Sequence, residues 1–109
     1  MSDDDLWESI DRIEDRLASA QPPRPPQEAL LLRMLKLSEE VGEVAEAVIG
    51  ATGQNPRKGV SHTWDDVQSE LCDVIITAAV ALRTLTPEAR EVFATHLARV
   101  TDRSLDPGA

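Results

Sequence analysis

Apolar positions recur at helical spacing in four stretches of the chain, separated by proline- and glycine-rich breaks. Leu6, Ile10, Ile13 and Leu17 follow at intervals of four, three and four, which predicts an amphipathic helix over residues 3–20. Asp3, Asp4 and Asp5 stand at its start, where the helix dipole favours negative charge. The run Pro22-Pro23-Arg24-Pro25-Pro26 stops it. That run reads as a stiff linker, with a polyproline ligand for an SH3-like partner as the alternative.

A second helix is predicted from Gln27 to Ala51. Leu30, Leu37, Val41, Val44 and Val48 make one broad apolar face, and Leu31, Leu35, Ala45 and Ile49 extend it around one side. Burial on more than one face is therefore expected. Gly53 supplies a stop, and residues 53–62 are rich in turn formers. Thr63 looks like the N-cap of a third helix, with Asp65 and Asp66 in its first turn, continuing to about Thr84. Its stretch from Val74 to Leu82 is nearly apolar all round, which predicts a central position. Thr86-Pro87-Glu88 reads as the next helix start, with proline at the first helical position. Val92, Phe93, Leu97 and Val100 give that last helix its stripe, and Asp106–Ala109 reads as a tail.

The pattern predicts an all-α bundle of about four helices. Residues 1–21 form an N-terminal helix, 22–26 a linker, 27–104 the core and 105–109 a tail. With only three aromatics, Trp7, Trp64 and Phe93, the core must be built from Leu, Val, Ile and Ala. A net charge of −9 argues against a nucleic-acid polymer as partner, because phosphate backbones need a basic face. It leaves room for a small nucleotide, since a bound cation inverts the local sign. Cys72 is the single cysteine, which excludes an intrachain disulfide and a thiolate zinc cluster. It reads as a small core residue. No basic-plus-apolar leader and no apolar run of membrane-spanning length is seen, so the expected location is cytoplasmic.

Carboxylates cluster on two of the predicted helices. Glu39-Glu40-Val41-Gly42-Glu43 lies on the second, Glu70-Leu71-Cys72-Asp73 on the third. Residues three apart project from one helix face, so Glu40 pairs with Glu43 and Glu70 with Asp73. If the helices pack antiparallel across the 53–62 loop, the pairs meet. Magnesium takes hard oxygen ligands and keeps waters that a phosphate can replace. Solvated surface acids are the plain alternative. Against it, Asp73 directly precedes the longest apolar run, where a free carboxylate is costly to desolvate. Clustered carboxylates also repel one another, and a divalent cation removes that penalty. Ala47, on the stripe of Glu40 and Glu43, leaves space for a neighbouring helix or a ligand.

At these residues the chain resembles the MazG-like all-α nucleoside triphosphate pyrophosphohydrolases, whose relatives include dimeric dUTPases and phosphoribosyl-ATP pyrophosphatase. Lys36-Leu37-Ser38-Glu39-Glu40-Val41-Gly42-Glu43-Val44-Ala45-Glu46-Ala47 is close to the family's first motif, and Glu70-Leu71-Cys72-Asp73-Val74 to its second. The resemblance covers roughly residues 30–83 and leaves the first helix and the proline-rich segment outside it. It implies Glu40, Glu43, Glu70 and Asp73 as ligands of Mg²⁺, with Mn²⁺ as a substitute. It also implies Glu39 as a further ligand or as the group that orients the attacking water. The implied reaction is cleavage between the α- and β-phosphates, a nucleotide-pool housecleaning activity.

Basic and aromatic side chains offer candidate substrate contacts. Arg57 and Lys58 sit in the loop between the acidic motifs and could hold phosphates, or belong to an ordinary solvated loop. Lys36 lies one turn before Glu40 and could contact phosphate or pair with that carboxylate. Trp64 could stack on a base or pack on a neighbouring helix. Arg99 and Arg103, spaced i, i+4, could reach a triphosphate, with a solvated face the plainer reading. His62 and His96 read as surface residues. Three helices after the linker cannot enclose both a core and a carboxylate cleft. A homodimer completing a four-helix bundle is therefore expected, with tetramers possible. The rival from another class is a non-catalytic helical interaction module whose acidic stripe is surface.

Overall fold

Ser2 opens the first helix. Its hydroxyl accepts the Asp5 backbone N–H at 3.2 Å, and the Asp5 carboxylate accepts the Ser2 N–H at 3.3 Å. This reciprocal box satisfies two of the donors that a helix start leaves free. A computed structural model describes residues 2–105, so the expected tail at 106–109 lies outside the described residues. Among the described residues four helices make up the fold: α1 Asp3–Ala20, α2 Pro26–Thr52, α3 Trp64–Leu85 and α4 Ala89–Leu105. No described helix is long and apolar enough to cross a membrane.

Local chemistry accounts for the boundaries. Pro26 occupies the first turn of α2, where a missing N–H costs nothing. Gly53 ends that helix at φ 65, a left-handed backbone that glycine adopts without steric cost, and its N–H bonds the Ile49 carbonyl. Thr63 and Asp66 form a second capping box at the start of α3, at 3.2 and 2.9 Å. A cap of this kind is worth about 1 kcal/mol. The last helix begins two residues later than the proline suggests. The Thr86 hydroxyl accepts the Glu88 N–H at 3.1 Å, and the Glu88 carbonyl accepts the Val92 N–H at 2.9 Å. Thr86-Pro87-Glu88 is therefore a turn that leads into α4.

α2 and α3 run antiparallel. Near the connecting loop the Gly50 carbonyl accepts the Ser61 N–H at 3.0 Å, farther along Glu43 meets Glu70, and farther still Arg33 donates to Thr84 at 3.1 Å. α3 is the common partner, packing against α1, α2 and α4. Its inward positions Val67, Val80 and Ala81 are buried, as are Ala47 of α2, Ile10 of α1 and Ala89 of α4. Ala47 is only 1% exposed, so this small residue on the carboxylate stripe is taken up by packing within the chain. α1 docks through Ile10, an Arg83–Asp11 ion pair at 2.7 Å, an Arg90–Asp4 pair, and Trp7 tilted against Phe93 at 6.2 Å.

Gly50 is where the 53–63 loop folds back onto α2. A Cβ there would meet the Ser61 hydroxyl at 2.6 Å and run into the His62 ring. Gly50→Ala is expected to push this loop off the helix and destabilise the fold by about 1–3 kcal/mol. Thermal melts of the two proteins under the same buffer check it.

Burial is incomplete on the outer faces. Leu31, Leu35, Val41 and Ile49 of α2 are exposed, Leu35 at 65%, although two-faced burial is expected of that helix. On α3, Leu71 and Ile75 are exposed, Ile75 at 66%. The expected stripe of α4 is also open at Val92, Phe93 and Leu97. The physical reason is that the described residues of one copy supply no further helix to lay over these faces. A radius of gyration of 17.2 Å fits this openness, against about 13 Å for a close-packed domain of this length.

Candidate metal centre

Antiparallel pairing brings carboxylates from the middle of α2 and the first third of α3 together. Glu40 and Glu43 are one turn apart on α2, and Glu70 faces them from the second turn of α3. One oxygen from each lies within 4.8 Å of the other two. Glu40 is only 8% exposed. Its charge is matched by Lys36, whose ammonium donates to Glu40 Oε1 at 3.2 Å and to Glu39 Oε1 at 3.0 Å. Those two bonds raise the Lys36 pKa. Glu70 Oε2 is buried with no hydrogen-bond partner among the described residues. The Glu43 pKa is pushed up, first by the charge of Glu40, then by desolvation and by the charge and hydrogen bonding of Glu70.

The donor set suits a hard divalent cation. Three carboxylates supply oxygen ligands only, and their mutual repulsion is what a cation would relieve. The orphaned oxygen of Glu70 supplies an acceptor that nothing among the described residues satisfies.

Other sequence-predicted residues are distributed unevenly around this centre. Asp73 lies one turn beyond Glu70 on the same face of α3, exposed and outside the three-carboxylate group. Glu39 is exposed and tied to Lys36. Trp64, the first residue of α3, is exposed. Lys58 borders a groove with Glu46, Ile49, Asn55 and His62, on the side of α2 turned away from Glu40, and Arg57 is exposed in the same loop. Arg99 and Arg103 are exposed on α4. Two expectations need correcting. Cys72 is exposed instead of buried, because it falls on the outer face of α3. His62 is half-buried, with its ring Nδ1 3.0 Å from the Ser61 hydroxyl and its edge against Gly50.

A feature missed by the sequence reading adjoins the carboxylates. A cavity of about 370 Å³ lies between α1, α2 and α3, with Ile13, Leu17, Leu32, Ile76 and Val80 as apolar walls. Lys36, Arg33 and Arg24 border it. Lys36 thus touches both the acidic centre and the cavity. The available signal was the stripe Arg33, Lys36, Glu40, Glu43 on one face of α2, in which cations give way to carboxylates. The contribution of α1 had no such signal, since the first helix stands outside the motifs. No family model matches the chain, and no curated protein or solved structure matches it.

Proposed function

We propose that this chain is a Mg²⁺-dependent nucleoside triphosphate pyrophosphohydrolase, releasing a nucleoside monophosphate and pyrophosphate. The observation that carries the reading is the meeting of Glu40, Glu43 and Glu70 from two helices, with one buried oxygen left unsatisfied. Their positions within motifs that resemble the MazG-like enzymes support the reaction class. Glu40, Glu43 and Glu70 would hold the cation, with Asp73 closing the set from the next turn of α3. When bound, Mg²⁺ supplies charge neutralisation on the phosphates. Glu39 orients the water that attacks the α-phosphorus, and the bond to the β-phosphate oxygen breaks as pyrophosphate leaves. Lys36 faces the phosphates from the cavity side, and the apolar cavity receives the uncharged part of the substrate. Lys58 borders the groove on the other side of α2, and with Arg57 in the same loop it remains a candidate phosphate contact outside this scheme.

A panel of nucleoside triphosphates with Mg²⁺, scored for first products, tests the reading. Monophosphate with pyrophosphate is expected. A diphosphate with orthophosphate as first products would overturn it.

The same proposal includes a cytoplasmic homodimer, because the exposed outer faces of α2 and α3 need a cover that a second copy supplies. Those faces also favour a second reading, a non-catalytic interaction module. Metal-dependent thermal stabilisation separates the two, since only the enzyme reading requires the native state to bind Mg²⁺ or Mn²⁺.

A further inference from the structure

We infer that Lys36 is an internal cation that metal must displace, and that its release onto the substrate couples metal loading to nucleotide binding. The inference rests on the metal reading of Glu40, Glu43 and Glu70. Lys36 Nζ occupies Glu40 Oε1 at 3.2 Å, on the carboxylate that belongs to both its own ion pair and the three-oxygen cluster. An ammonium and a divalent ion on one carboxylate repel each other, so metal entry favours departure of the ammonium. The lysine has somewhere to go. Its stem is flexible, its side chain is half exposed, and it borders the cavity beside Arg33 and Arg24. Swung to that rim it faces an anionic phosphate instead of a carboxylate. Without metal it neutralises Glu40 and is spent. With metal it is free to bind substrate, and by linkage each ligand then favours the other.

Lys36→Met and Lys36→Gln separate this role from an ordinary surface ion pair. The position is open enough for both variants to fold, which circular dichroism verifies. Mn²⁺ binding without nucleotide, read by electron paramagnetic resonance, is expected to tighten roughly three- to tenfold, the range set by loss of a partly exposed competing charge. KM for the best triphosphate at saturating Mg²⁺ is expected to rise on the order of tenfold, because the phosphate contact is lost. Lys36→Arg should retain most of the wild-type KM. Opposite movement of the two constants is the signature. Unchanged or weaker Mn²⁺ binding in both variants overturns the inference while leaving the metal site standing. Absence of Mn²⁺ binding in wild type and variants alike overturns the metal reading, and the displaced-cation role with it.

Discussion

Glu70→Gln is expected to abolish triphosphate hydrolysis at saturating Mg²⁺ while the helices remain folded. Glu70 is the only one of the three clustered carboxylates that comes from α3, and its Oε2 is buried without a partner among the described residues. An amide in its place is nearly isosteric but cannot complete a charged oxygen set. Loss of metal-held charge neutralisation corresponds to a rate loss of at least about a thousandfold. Stability should move the other way. Glu43 carries a raised pKa because Glu40 and Glu70 crowd it, so neutralising Glu70 relieves repulsion in the metal-free protein. Glu43→Gln is expected to show the same pairing of lost activity with an unchanged or higher Tm. Kinetics and thermal melts on the same preparations check both halves. Wild-type turnover in either variant would count decisively against the site.

Local determinants of this fold are readable directly from the chain. Thr63 with Asp66 and Gly53 after the last apolar position each act through neighbours within a few residues and set a boundary where expected, whereas Pro26, expected in the linker, is the first residue of α2. The carboxylate centre is legible for a related reason. Glu40 and Glu43 share a face by helical period, and a short loop forces α3 back along α2 so that Glu70 arrives opposite. What escapes the sequence depends on who packs against whom. The periodicity of α3 marks many apolar positions without ranking them, so Cys72, about 200° around the helix from Glu70, cannot be placed inside or outside until α1 and α2 are in position. Gly50 reads as an unremarkable helical glycine until Ser61 and His62 are seen against it. Lys36 is equally ambiguous in sequence. Spacing allows it to reach Glu39, Glu40 or a ligand, and only the folded arrangement shows it on both carboxylates at the cavity edge.

Wild-type protein is expected to run in solution at twice the 11.9 kDa chain mass, and Leu35→Asp combined with Ile75→Asp is expected to make it monomeric. Leu31, Leu35 and Ile49 lie along the outer stripe of α2, and Leu71 and Ile75 along that of α3. Covering one such side chain is worth about 1.5–3 kcal/mol, so a self-complementary contact over these stripes has ample driving force. The two helices form one half of a bundle, and a two-fold copy laid over these outer stripes supplies the other half. An unpaired aspartate buried at the centre of that contact should weaken association at least a hundredfold or so. Because both substituted positions are on the surface of the single chain, the variant should keep its far-UV helical signal, which distinguishes dissociation from unfolding. Light scattering across a dilution series gives the mass, and the activity assay at each concentration shows whether the second copy is needed for turnover. A monomeric wild type at micromolar concentration, or a double variant with unchanged mass, would mean that these apolar stripes serve another partner, as the interaction-module reading holds.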